Sequence, residues 1–299
     1  MMKNYPSYLK LSEKEWQEKL KKAWDFISPC KLCPRECKAK RKEGEKGFCR
    51  TGIKPFLSSF HPHFGEEACL VGKGGSGTIF FTFCNLSCVF CQNFEISQLG
   101  EGKEIEIEDL AKIMIYLQNI GCENINLVSP THQLPQILSA IYLAQKKGLS
   151  LPIVWNSNAY EKVEVLKILE GVVDIYLPDF KYGENKFAEK FSSAPKYFEI
   201  AKSAIKEMWR QVGALKLENE IAKRGLLVRH LVLPENLAFS EKVFSALAQI
   251  SKKITVNVMD QYYPCWQAWN FPSLSRKITS KEYQKALSLA QKYGLQIWK

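Results

Sequence analysis

The sequence predicts an α/β fold of six parallel β/α units curled into an open barrel, on three observations. Short runs rich in β-branched and aromatic residues alternate with helix-period stretches from about residue 78 to residue 260. Several runs, such as Thr-Ile-Phe-Phe-Thr-Phe at 78–83 and Leu-Leu-Val-Arg-His-Leu-Val-Leu at 226–233, are nearly unbroken in apolar residues, as strands are when helices cover both faces of a parallel sheet. Six units fall short of the eight in a closed barrel, so a partial (β/α)6 TIM-like barrel is expected, with a doubly wound sheet as the alternative. In either architecture ligands gather at the carboxyl ends of the strands.

Residues 1–65 stand outside the alternation: a helix over 12–26 leads into a loop rich in Cys, Lys and Gly, read as an N-terminal Cys-rich extension. Residues 66–260 form the barrel core, with strands expected over 78–83, 124–129, 151–156, 172–179, 226–233 and 254–259. Helices are expected between them over 107–120, 134–147, 162–169, 197–213 and 241–250. A C-terminal segment, 261–299, carries Tyr262, Tyr263, Trp266, Trp269 and Phe271, then a helix with Thr279 or Ser280 as N-cap and Gly294 at its end.

With 299 residues, 46% of them hydrophobic, the chain has the composition of a globular enzyme and excludes a disordered or fibrous class. Residues 1–22 are rich in Lys and Glu and lack an apolar leader, and no apolar run approaches the roughly eighteen residues of a membrane span. A cytoplasmic protein with no membrane partner is expected. The net charge of +11 invites a nucleic-acid reading. Lys14, Lys19, Lys21 and Lys22, however, alternate with Glu13, Glu15 and Glu18 at helical spacing, the pattern of a solvated helix face, so nucleic acid is not the expected partner.

Seven of the ten cysteines cluster, which in an intracellular chain points to metal or redox chemistry rather than disulfides. Cys84-Asn-Leu-Ser-Cys88-Val-Phe-Cys91 directly follows the first core strand. Three thiolates suit a 4Fe-4S cube, each binding one corner iron and leaving the fourth without a protein ligand. A structural zinc would want a fourth ligand, and nothing adjacent supplies it.

This C-x3-C-x2-C after the first strand of a six-unit β/α pattern resembles the radical S-adenosylmethionine (SAM) superfamily. The resemblance implies that SAM chelates the unique iron and is reductively cleaved to a 5'-deoxyadenosyl radical that abstracts hydrogen; Phe90 stands where the family packs an aromatic residue near the adenine. Candidate SAM contacts follow the later strands. Ser129 and Thr131 replace a common Gly-Gly-Glu, with a turn and helix cap as the plainer reading. Asn156 and Asn158 follow the third strand. Asp179 and Lys181 resemble an Asp-x-Lys of pyruvate formate-lyase activating enzymes, and His230 resembles a SAM-contacting His of the same enzymes; an ion pair and a core imidazole are their plainer readings.

Cys30-x2-Cys33-x3-Cys37-x11-Cys49 has enough thiols for a complete second site, zinc or a further Fe-S cluster, with free thiols as the third option. Most of the chain resembles the PflX-like homologues of pyruvate formate-lyase activating enzymes. The resemblance lies in Cys33-Pro-Arg-Glu-Cys37, Phe64-Gly-Glu-Glu67, Cys91-Gln-Asn93, Asn126-Leu-Val-Ser-Pro-Thr-His132, Pro178-Asp-Phe-Lys-Tyr182, Arg224-Gly-Leu-Leu-Val-Arg-His230 and Met259-Asp-Gln261. It implies a radical SAM oxidoreductase using SAM, an electron donor and an unidentified substrate, which could be a protein. The alternative from another class is a non-catalytic Fe-S or zinc protein whose basic N-terminal region binds nucleic acid.

Overall fold

A computed structural model describes residues 5–298. Its first helix, α1 (Glu13–Asp25), starts at a capping box in which Ser12 Oγ accepts from Glu15 N and the Glu15 carboxylate accepts from Ser12 N. Then come β1 (Phe56–His63), α2 (Ala68–Val71), β2 (Ser76–Phe81), β3 (Lys103–Glu104), α3 (Ile107–Asn119), β4 (Ile125–Val128) and α4 (Leu134–Lys146). The second half holds β5 (Ile153–Ser157), α5 (Val163–Leu166), β6 (Ile175–Pro178), α6 (Asn185–Ser192), α7 (Tyr197–Val212), β7 (Lys216–Glu218) and β8 (Ile221–Leu231). It ends with α8 (Ser240–Ile250), β9 (Thr255–Met259), α9 (Ser280–Lys292) and β10 (Gln296–Ile297).

The sheet runs in the order β10-β9-β8-β6-β5-β4-β2-β1-β3, and its six central strands, β2, β4, β5, β6, β8 and β9, pair parallel. These are the six strands read from the sequence. The pairing path does not close on itself among the described residues, so the α/β barrel is open. Strand β1 extends the β2 edge antiparallel and lies within the segment read as an extension. Its Phe-His-Pro-His stretch hides it, because proline and exposed histidines break the strand pattern. Strand β8 begins five residues before the expected 226, since its first arm forms a hairpin with β7. No described helix is long and apolar enough to cross a membrane.

The N-terminal segment straps the barrel from its base to its mouth. At the base, Ser7 donates its N–H and hydroxyl to Asp174 Oδ1 at 3.0 and 2.6 Å, just before β6, and Tyr8 Oη donates to Leu151 O before β5. Helix α1 then packs along α4, with buried Trp16 5.6 Å from the Tyr142 ring and Trp24 Nε1 donating to Ser139 Oγ at 3.1 Å. The loop that follows arrives at the carboxyl ends of the strands, where Arg41 Nη1 donates to His132 O at 3.0 Å beyond β4. Burying large rings such as Trp16 and Trp155 stabilises the fold by about 3–5 kcal/mol each when judged by truncation.

Candidate active site

The loop after β2 is held on several sides before any metal is considered. Phe83 takes a positive φ of 68° and turns the chain out of the strand. Ser87 N and Val89 N donate to Ser192 O and Phe191 O at the end of α6, at 3.1 and 2.8 Å. Asn85 Nδ2 donates to Tyr160 O at 2.8 Å, and Arg35 Nε donates to Asn85 O at 2.5 Å. Buried Phe90 packs edge-on to Tyr182 and Tyr262, and the Cys265 thiol donates to Phe90 O at 3.4 Å.

Each sulfur in this loop has polar company. Cys84 Sγ accepts from Leu86 N and from Asn158 Nδ2, both at 3.3 Å; Ser192 Oγ donates to Cys88 Sγ at 3.0 Å; Cys91 Sγ lies 3.1 Å from Ser97 Oγ. Burial raises the Cys84 thiol pKa and pushes Cys88 up to about 12, and each is raised further by the charge of the neighbouring cysteines. Lys181 works against that rise at both. Hydrogen bonds to sulfur are what tune an Fe-S cluster. No three His, Cys, Asp or Glu side chains among the described residues are drawn up around a single metal ion. A three-thiol donor set would fill three corners of a 4Fe-4S cluster and leave the fourth iron for a ligand.

Cys88 and Cys91 open into a cavity of about 340 Å3 at the barrel mouth, shared with Asn156, Asp179, Lys181 and Arg229. Asp179 accepts from Lys181 Nζ at 2.7 Å and from Arg229 Nε at 2.8 Å. Arg229 also reaches Asn156 Oδ1 at 2.6 Å and Glu66 Oε2 at 3.3 Å. Burial alone would raise the Asp179 pKa, but the two cations outweigh it and hold the carboxyl below its ordinary value. Burial raises the pKa of Glu66 despite Arg229 beside it. Buried Asn126 lies against Glu66 and lowers its pKa by a side-chain hydrogen bond. Two buried cations, Lys181 and Arg229, line this cavity, and they fit the carboxylate of a polar ligand such as SAM.

Not every residue expected from the sequence lies in this cavity. Asn156, Asp179 and Lys181 line it, whereas Asn158 braces the cysteine loop, donating to Cys84 Sγ and Asn85 Oδ1. Thr131 donates to the buried Glu161 carboxylate at 3.0 Å, which also accepts from Trp155 and Ser157; half-buried Ser129 forms the turn with φ 55°. His230 is fully buried with Nδ1 at 2.7 Å from Phe180 O and Nε2 at 2.9 Å from Ser240 Oγ, facing Phe244 of α8. Successive strand residues point to opposite faces, so His230 faces the helix layer and Arg229 faces the cavity. Arg229 and Glu66 escaped the sequence reading. The signal was present in Arg229, a charge inside the nearly apolar run 226–233.

The four N-terminal cysteines line a separate pocket with Arg35, Arg41, Phe48 and His132. Burial pushes Cys33 up to about 12 and raises Cys30.

Residues 78–212 match the radical SAM superfamily. An uncharacterized protein of Methanocaldococcus jannaschii is 37% identical over 289 residues, covering 93% of this chain and 79% of that protein. The chain belongs to the radical SAM superfamily. Membership implies a 4Fe-4S cluster, SAM and a reductant. Solved radical SAM structures share its fold. A radical SAM methyltransferase from Sphaerobacter thermophilus aligns at TM-score 0.51 and 13% identity over 74% of this chain, which spans 64% of that structure. Methylornithine synthase aligns at TM-score 0.50 and 13% identity over 97% of this chain and 72% of that one. At such identities the likeness is one of fold, the partial barrel.

Proposed function

We propose that Cys84, Cys88 and Cys91 hold the 4Fe-4S cluster of this radical SAM protein and that its cavity binds SAM for hydrogen abstraction from an unidentified substrate, a protein on the resemblance to activating enzymes. The chemistry then resembles that of pyruvate formate-lyase activating enzymes and their PflX-like homologues. When bound and reduced, the cluster supplies the electron that cleaves a carbon–sulfur bond of SAM. The chain's own residues bind and orient. Lys181 and Arg229 offer cations for the SAM carboxylate, Asp179 keeps both side chains in place, and Glu66 and Asn156 offer acceptors for the amino group. Phe90, Tyr182 and Tyr262 exclude water beside the cysteines. The observation carrying this reading is that two cluster thiols and the Asp179–Lys181–Arg229 network face one cavity. The four N-terminal thiols suit a second metal centre, and a reducing cytoplasm would keep all ten cysteines available.

Label transfer tests the protein-substrate reading. Reduced, SAM-loaded enzyme is mixed with fractionated extract from cells grown on deuterated glycine. Deuterium in the 5'-deoxyadenosine, tracking with a macromolecular fraction, is expected. Label that arises only with small-molecule fractions would overturn a protein substrate.

A further inference from the structure

We propose that the basic loop 31–54 is the docking face for an acidic one-electron carrier protein, which reaches the cysteine loop at Cys84 through an opening separate from the barrel cavity. The proposal rests on the reading of Cys84, Cys88 and Cys91 as cluster ligands, and it names where their electron enters.

The three thiols do not share one opening. Cys88 and Cys91 line the barrel-mouth cavity, where a ligand held by Lys181 and Arg229 would cover them. Half-buried Cys84 lines a second cavity of about 290 Å3, walled by Phe48, Arg50, Gln98 and Trp266. Among the described residues that wall holds a cation, Arg50, and no carboxylate. Electron transfer needs close approach but no bond, so a carrier seated on the second opening can reduce the site while the first stays occupied.

The surface beside this opening is cationic. Residues 31–54 hold nine Lys and Arg against three Glu, a net +6 in a chain of +11. Lys31, Lys38, Lys42, Lys46 and Arg50 are exposed, whereas Glu36 is bridged to Lys162 and Glu43 to Lys40. A patch of one sign speeds encounter with a protein of the opposite sign and orients it on arrival. Phe48, 42% exposed on the cavity rim, adds the aromatic contact that interfaces favour.

The loop is shaped before any partner arrives. Cys30 N donates to Ala39 O and Lys38 N to Cys30 O, at 2.9 and 3.0 Å, and Arg41 donates to the carbonyls of Gly52 and His132. Arg35 lies 3.3 Å from the Phe48 ring centroid and donates to Asn85 O beside Cys84. Arg50 lies over the Phe83 ring and donates to Gln98 O. The basic surface is thus tied to the cysteine loop itself, and an ordered surface loses less freedom on binding. In the complex the reduced carrier loses one electron and the cluster gains it, with no atom or proton exchanged.

The test is calorimetric titration of the anaerobically reconstituted full chain with an acidic plant-type 2Fe-2S ferredoxin. Binding at about 0.05 M salt should weaken roughly tenfold or more at about 0.5 M. Lys38→Glu/Lys42→Glu/Lys46→Glu should weaken it by roughly tenfold at low salt, and the milder Lys38→Gln/Lys42→Gln/Lys46→Gln by an intermediate factor. The Glu variant should also slow reduction of the cluster by reduced ferredoxin, followed by freeze-quenched electron paramagnetic resonance, and not reduction by photoreduced deazaflavin. Lys14→Glu/Lys21→Glu/Lys22→Glu makes the same change of net charge on α1 and should leave affinity within about threefold. Equal weakening by the two Glu variants, or none by the loop variants, would overturn the docking face, as would single-stranded RNA binding there more tightly than ferredoxin. The titration reads docking with or without iron, so its failure is distinct from failure of the cluster reading, which would show as a chain that takes up no iron and sulfide.

Discussion

Two cysteine clusters meet across Arg35, and they differ in what surrounds their sulfurs. Cys84, Cys88 and Cys91 sit just after β2, and two of them face a cavity lined by buried cations. Cys30, Cys33, Cys37 and Cys49 surround a space of about 10 Å3 walled by Arg41 and His132, with no room for a substrate. Three thiols beside an open cavity leave one metal position for a ligand, whereas four thiols around a small space leave none. On the proposed reading the first arrangement does chemistry, and the second stiffens the loop.

The sharpest way to break this comparison is to remove one sulfur from each side. Cys88→Ala should bring 5'-deoxyadenosine formation to background with any reductant. Cys33→Ala should keep most of that activity with a strong chemical reductant. Equal loss in both variants under chemical reduction would erase the distinction.

The next largest effect is expected in the cavity. Arg229→Ala or Lys181→Ala should weaken SAM binding by roughly 10–100-fold, the value of a charge-assisted hydrogen bond, without changing iron content. Calorimetric titration with SAM reads this directly; an unchanged affinity would place SAM elsewhere.

His230→Gln sharpens the same boundary from the other side. Both its ring nitrogens are bonded away from the cavity, to Phe180 O and Ser240 Oγ, so the change should cost about 1–3 kcal/mol of stability while SAM affinity stays within twofold. Burial holds the His230 pKa at about 4. A base with a depressed folded pKa contributes stability above its unfolded value near 6.5 and loses it as pH falls toward 4. Chemical denaturation of the variant should lack that portion of the acid slope.

The smallest effect lies at the base of the barrel. Burial raises Asp174 to about 6, opposed by its hydrogen bonds from Ser7. The protonated form is favoured on folding, so this contribution is full below about pH 4 and fades as pH rises through 6. Asp174→Asn should flatten the stability profile between those values, leaving SAM binding unaffected.

The parallel core was legible because buried strands must be apolar on both faces, and runs such as 78–83 and 226–233 have few other uses. Strand β1 was not, since an edge strand tolerates the proline and histidines that spoil the pattern. The cysteine loop was legible from spacing alone. The cavity was half legible: residues after strands can be found by position, but which of two neighbours points inward depends on register. Arg229 and His230 show this, one facing Asp179 and the other facing Ser240. Glu66 was hidden for another reason, as it reaches the mouth from a loop between β1 and α2 that no β/α alternation announces.

The central claim is that the Cys84–Cys91 loop and its cavity cleave SAM. Anaerobically reconstituted protein, reduced and given SAM, should release 5'-deoxyadenosine and methionine in equal amounts, and Cys88→Ala should release neither. Fully loaded wild-type protein that yields no 5'-deoxyadenosine, or a Cys88→Ala variant that still does, would contradict it.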